Sequence, residues 1–193
     1  MIVRTTALLL ITTLAVSSLA RAVVPHSVDY VAEVSPTPLI AATDEQALER
    51  KLAAFEKVMG IRVLLQLHTL SPSAEEDKVP GAYMHGLAQT LDVDQRGVLV
   101  VYFADEDDWR IWFGDEIAPH FVGQPRTTKE LTESGAIHDA KEALLTASRV
   151  EGDSAFAKIQ RTSGLPPEML KRKRVRAHAD ALLDLMISKI VPE

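Results

Sequence analysis

Cysteine is absent from the 193-residue chain. That excludes disulfides, thiol nucleophiles and cysteine-ligated zinc together, and the fold must be held by packing alone. Basic residues are in the minority, 21 Lys and Arg against 27 Asp and Glu for a formal charge of −6, which argues against nucleic acid as the main partner. Glycine is sparse and scattered: no Gly-x-x-x-x-Gly-Lys phosphate loop occurs, and no Gly-x-Ser-x-Gly surrounds a serine. Long apolar runs are missing after the amino-terminal segment, so no later stretch is expected to span a bilayer. The six histidines, His26, His68, His85, His120, His138 and His178, show no short ligand spacing, and a zinc site is not supported.

What is present begins with a leader. Arg4 supplies a positive start, Ala7 to Leu19 an apolar centre, and Ala20-Arg21-Ala22 a small-x-small cleavage site, so residues 1–22 read as a secretory signal cut after Ala22. The apolar centre is 13 residues, short of the roughly 20 of a spanning helix; an uncleaved anchor is the competing reading. Loss of Arg4 and Arg21 makes the mature chain more acidic still, and its length suits one domain with a real core.

The mature chain centres on Val93 to Gly114. Gly97 to Ala104 is almost unbroken apolar, β-branched and aromatic, as in a strand covered on both faces. Trp109 to Phe113 alternates, placing Trp109, Ile111 and Phe113 on one face and Arg110 and Trp112 on the other. The acidic tetrad Asp105 to Asp108 joins them into a hairpin and belongs at a solvated sheet end. Upstream, residues 23–40 form an extended arm with an edge-strand candidate at Val28 to Val34. Thr43 and Gln46 predict a capping box for a helix carrying Leu48, Leu52, Phe55 and Met59 and closed by Gly60. Ile61 to Leu67 reads as a buried strand, Thr69 to Pro80 as a loop, and Tyr83 to Leu91 as a short amphipathic helix.

After the hairpin, Pro119 and Pro125 predict an irregular stretch over Asp115 to Gly123. Thr128 to Ser148 carries a weak helical pattern interrupted by Gly135, and Asp153 is placed to cap a separate short helix closed by Gly164. Pro166 and Pro167 open a last helix with Val175, Ala179, Leu183, Met186 and Ile190 as its core stripe. The alternation of strands and helices predicts an α/β fold: a mixed, mostly parallel sheet with helices on both faces, an α/β/α sandwich, plus carboxy-terminal helices. Residues 41–124 form its core and 125–193 the helical remainder of the same domain.

Two charged clusters compete for function. Asp105, Asp107 and Asp108 of the tetrad, with Glu106, Asp115 and Glu116, are six carboxylates assigned to one end of the hairpin, enough oxygen for calcium or magnesium; a plain solvated turn is the alternative. An EF-hand is excluded, because Asp92, Asp94 and Gly97 fit its first half while its bidentate glutamate position falls on Phe103. The run Lys171-Arg172-Lys173-Arg174 with Arg176 reads as a solvated helix face, or as a weak contact with anionic lipid or an acidic partner.

From Leu48 to Gly114 the order of elements resembles the TPM domain family, found in thylakoid-lumen, bacterial exported and receptor-associated proteins. Its pattern is matched by Glu56 and Gly60 at the helix end, Asp94, Gly97 and Leu99 at the central strand, and Arg110 and Gly114 on the returning one; Asp29 matches an Asp of the family's arm. Where the family continues Gly-Tyr-Gly-Leu-Glu, this chain has Gly114-Asp115-Glu116-Ile117-Ala118, and the transmembrane helix and glycine-rich tail of bacterial members are missing. The resemblance implies an α/β sandwich, a periplasmic or extracellular location and divalent-cation binding. It also implies the weak acid phosphatase activity ascribed to some members; the preferred reading is a module assisting assembly or maintenance of envelope proteins through a protein partner, with a metal-assisted acid phosphatase as the alternative.

Overall fold

The structure, a computed structural model, describes residues 29–191; the leader lies outside them. Four strands, β1 (Val31–Val34), β2 (Arg62–His68), β3 (Gly97–Phe103) and β4 (Asp108–Phe113), form one sheet in that order. β1, β2 and β3 are parallel and β4 runs antiparallel to β3, with Val100 opposite Ile111 and Phe103 opposite Asp108. β2 and β3 are the inner strands, and their near-continuous apolar sequence follows from cover on both faces. β4 is an edge, which is why it alternates.

The two faces are covered unequally. One packs under helix α1 (Ala42–Met59) and under helices from the carboxy-terminal half; its core joins Leu48 and Leu52 to Val63, Leu65, Val98, Val100, Ile111, Phe113, Leu183 and Met186. The other, with Leu64, Leu99, Val101 and Phe103, meets the short helix α2 (Ala82–Thr90) through Met84 and Ala88. The result is the mixed, mostly parallel sheet flanked by helices that the sequence predicts.

Local details depart from expectation where tertiary contacts override local signals. α1 starts before Thr43: Ala41 is its N-cap without a side-chain bond, and the Thr43–Gln46 capping box does not form because both residues are already helical. Gly60 closes the helix as expected, at φ 64° with its N–H on the Glu56 carbonyl. Asp115 to Gly123 is not wholly irregular: α3 (Ala118–Val122) forms there with Pro119 in its first turn, where a missing N–H costs nothing. α4 (Thr128–Glu133) carries the true capping box, Thr127 with Glu130.

Instead of two helices divided at Asp153, α5 (Ala136–Ser163) runs unbroken for 28 residues. It lies against α6 (Pro167–Ile190), and Gly152 is buried where the two helices meet, where a Cβ would stand 2.9 Å from His178 Cδ2 and 3.0 Å from His178 Cα. Asp153 does not cap; it sits 3.1 Å from His178 Nε2. Glycine and aspartate here are a helix-crossing pair, not a helix boundary.

Each edge strand meets one charged side chain. Glu49 accepts a hydrogen bond from the Val31 N–H at 2.6 Å, and the Lys141 ammonium donates to the Ile111 carbonyl at 3.2 Å. Charged groups set on free edges discourage further strand pairing.

Candidate functional site

The parallel strands point their carboxyl ends to one side, the place where open α/β sheets bind ligands. The β3–β4 turn lies at this end, as do three of the five residues assigned to a cation. Asp105 accepts the Ser71 N–H on both oxygens, each at 3.0 Å, and the Ser71 hydroxyl at 2.9 Å; chiefly that N–H holds its carboxyl below the usual range. Asp107 adopts φ 51°, which a short polar side chain tolerates. It accepts the Tyr102 hydroxyl at 2.9 Å and two bonds from Arg174 at 2.7 and 3.2 Å. Burial pushes the Asp107 carboxyl up, but Arg174 and Tyr102 together outweigh it and the net shift is downward. The Tyr102 phenol is pushed up, first by burial and then by Asp107. Arg110 gathers the rest: Asp77 at 2.8 Å, Glu106 at 3.0 Å and Asp108 at 3.1 Å, with its guanidinium 4.9 Å above Phe103.

Asp115 and Glu116 are elsewhere. They follow β4 at the opposite end of the sheet, where their N–H groups donate to the carbonyls of Asp94 at 3.0 Å and Gln95 at 2.9 Å. The full length of β4, roughly 17 Å at 3.4 Å per residue, separates them from the turn. The expected convergence of six carboxylates at one end is therefore corrected: an antiparallel return strand carries its two flanks to opposite ends. Among the described residues no group of three or more His, Asp or Glu is placed to hold a metal ion.

Two histidines pack against aromatic side chains of the sheet. His68 Nε2 lies 2.9 Å from Gln66 Oε1 and its ring packs against Phe103, with burial lowering its pKa; His85 stacks on Trp112 at 4.7 Å. Trp112 Nε1 is buried without a hydrogen-bond partner among the described residues.

The basic run is less solvated than the sequence suggests. Lys173 pairs with Asp44 at 2.8 Å, Arg174 with Asp107, and Arg176 with Asp180 at 2.6 Å and with Asp44, while exposed Lys171 meets Glu168 at 3.2 Å. Most of the run clamps α6 to α1 and to the β3–β4 turn. Only the Glu168–Lys171 spacing of three and the Arg176–Asp180 spacing of four were visible local signals. Partly buried Arg172 makes no ion pair or side-chain hydrogen bond among the described residues. It lines a cavity of about 430 Å³ beside Asp107, walled by Pro38 and Leu39 after β1, Tyr102 and Ala104 at the end of β3, and Val175 of α6. This groove escaped sequence reasoning because its walls are remote in the chain. A second groove, about 370 Å³, runs along the outer edge of β4 past Arg110, His138 and Lys141, whose amine burial drives below the ordinary lysine range.

No family model matches the chain, and no curated protein matches it. Among solved structures, the chain is similar to the N-terminal domain of a protein from P. gingivalis, at 16% identity over 86% of this chain and 89% of that one, with a TM-score of 0.46. That likeness is too low to bear on fold or function.

Proposed function

We propose that the chain is an exported, TPM-like binding module of the cell envelope that recognises a partner at the carboxyl end of its sheet and turns over no substrate there. The observation that carries this reading is the commitment of the turn acids: Asp105 to Ser71, Asp107 to Tyr102 and Arg174, and Glu106 and Asp108 to Arg110. A metal-assisted hydrolase needs carboxylate oxygens free for a cation, whereas these act as struts that hold the loops and α6 around a groove. The leader-like residues 1–22 support a periplasmic or extracellular location. Among the described residues no helix is long and apolar enough to cross a membrane.

The test is turnover of p-nitrophenyl phosphate by the purified mature chain with calcium, magnesium or chelator, alongside Asp105→Asn and Asp107→Asn. Background turnover in every sample is the expected result. Metal-dependent turnover lost in both variants would replace this reading with the weak acid phosphatase.

A further inference from the structure

We infer that the groove beside Asp107 receives an extended acidic segment of a partner protein, with Arg172 as its charged contact; this deepens the binding-module reading and rests on it. Five cations lie between Lys171 and Arg176, and four have an acidic partner on this chain. Arg172 is the exception among the described residues: it is partly buried in the groove wall, where Lys171 and Arg174 also stand but are paired with Glu168 and Asp107. Partly burying a guanidinium without a counter-charge is unfavourable, and its planar fork matches a carboxylate with two parallel bonds.

The remaining wall defines the rest of the ligand. Pro38, Leu39, Ala104 and Val175 are apolar, and the Tyr102 ring lies beside them. Val34 and Met169, on the segments leading into the two walls, are 54% and 47% exposed. An extended segment with alternating acidic and apolar side chains sets carboxylates toward Arg172 and apolar groups toward this surface. The acids Asp107 and Glu168, also in the lining, oppose any anion and a phosphate dianion more than a single carboxylate, which Arg172 can pair alone. A flat anionic membrane fits poorly too, because Lys173 and Arg176 are turned onto Asp44 and the whole chain is negative.

The experiment measures fluorescence anisotropy of labelled (Leu-Glu)4, (Leu-Gln)4 and (Leu-Lys)4 peptides against the mature chain. The variants are Arg172→Glu, Arg172→Lys and, as a remote control on α4, Lys129→Glu. The wild type is expected to bind (Leu-Glu)4 at least about tenfold tighter than either other peptide. Arg172→Glu should lose about tenfold or more, Arg172→Lys should lose less, and Lys129→Glu should bind as the wild type does. A melting curve accompanies each variant, with Arg172→Gln replacing Arg172→Glu if the charge reversal unfolds the chain.

Equal affinity for the three peptides, or binding unaffected at Arg172, would overturn the assignment. So would preferential, Arg172-dependent binding to phosphatidylglycerol vesicles or to inorganic phosphate. If the wild type binds no acidic peptide while phosphate-ester turnover stays at background, the groove assignment falls alone; metal-dependent turnover lost in Asp105→Asn and Asp107→Asn would instead remove the module reading.

Discussion

Replacing Gly152 by alanine tests the α5–α6 crossing against an opposing helix propensity. In an open helix interior the change contributes about 0.8–1.0 kcal/mol of stability, because glycine is the poorer helix former. At Gly152 the added Cβ would meet His178 Cδ2 and Cγ at 2.9 Å and His178 Cα at 3.0 Å. Carbon atoms pack best about 3.5–4.0 Å apart, so the helices must separate by about 0.5 Å, and rotating the His178 ring cannot relieve a contact with its Cα. Over-packing of this kind costs about 1–3 kcal/mol. The clash outweighs the propensity gain, and Gly152→Ala should destabilise by up to about 2 kcal/mol. The control is Gly86→Ala in α2, where nothing lies within 4 Å of the new Cβ and the full gain, about 0.8–1.0 kcal/mol, should appear. At about 2–4 °C per kcal/mol for a domain this size, the two variants should melt on opposite sides of the wild type. A Gly152→Ala protein that melts as high as Gly86→Ala would refute the close approach of α5 and α6.

Leu99→Asp should abolish cooperative unfolding by circular dichroism, since Leu99 is fully buried and an unpaired carboxylate there costs several kcal/mol against a total of roughly 5–15; a wild-type melting curve would remove β3 from the centre of the sheet. Asp107→Asn should lower the melting temperature at pH 7, and by progressively less as the pH falls below about 4. The folded Asp107 carboxyl lies below its unfolded value of about 3.9, so its contribution is complete above that value and is lost as pH falls through the folded one. The pair is half-exposed, which limits the loss to about 1 kcal/mol. Calcium and magnesium should leave the melting temperature within about 1 °C of the chelated sample; a site filled at a hundred times its dissociation constant would add about 2.7 kcal/mol, and such a shift abolished by Asp105→Asn plus Asp115→Asn would overturn the separation of the two acid groups.

Those outcomes bear on what the chain reveals before folding. β2 and β3 were legible because burial on both faces demands continuous apolar side chains, and the alternation from Trp109 to Phe113 marks an edge. α5 was misdivided because Asp153 looks like a helix cap when its contact, His178, lies on a later helix. The acids were misgrouped by nearness in sequence, although a strand of six residues between Asp107 and Asp115 already forces them apart. The clamp between Lys173 and Asp44, 129 residues apart, has no local signature, and neither does the groove at Arg172.

The charged caps on the two edge strands have a consequence for symmetry. β1 and β4 are unlike edges, one flanked by a parallel neighbour and the other by an antiparallel one. If Lys141 alone is removed, an exposed β4 can pair with β4 of a second copy about a two-fold axis, which closes after two chains into a continuous eight-stranded sheet. If Glu49 is removed as well, β1 of one copy can pair with β4 of the next, a heterologous contact that makes a ring where the rotation between copies closes and a filament where it does not. Each of these two hydrogen bonds occupies a backbone group that a strand of a neighbouring chain would otherwise pair with.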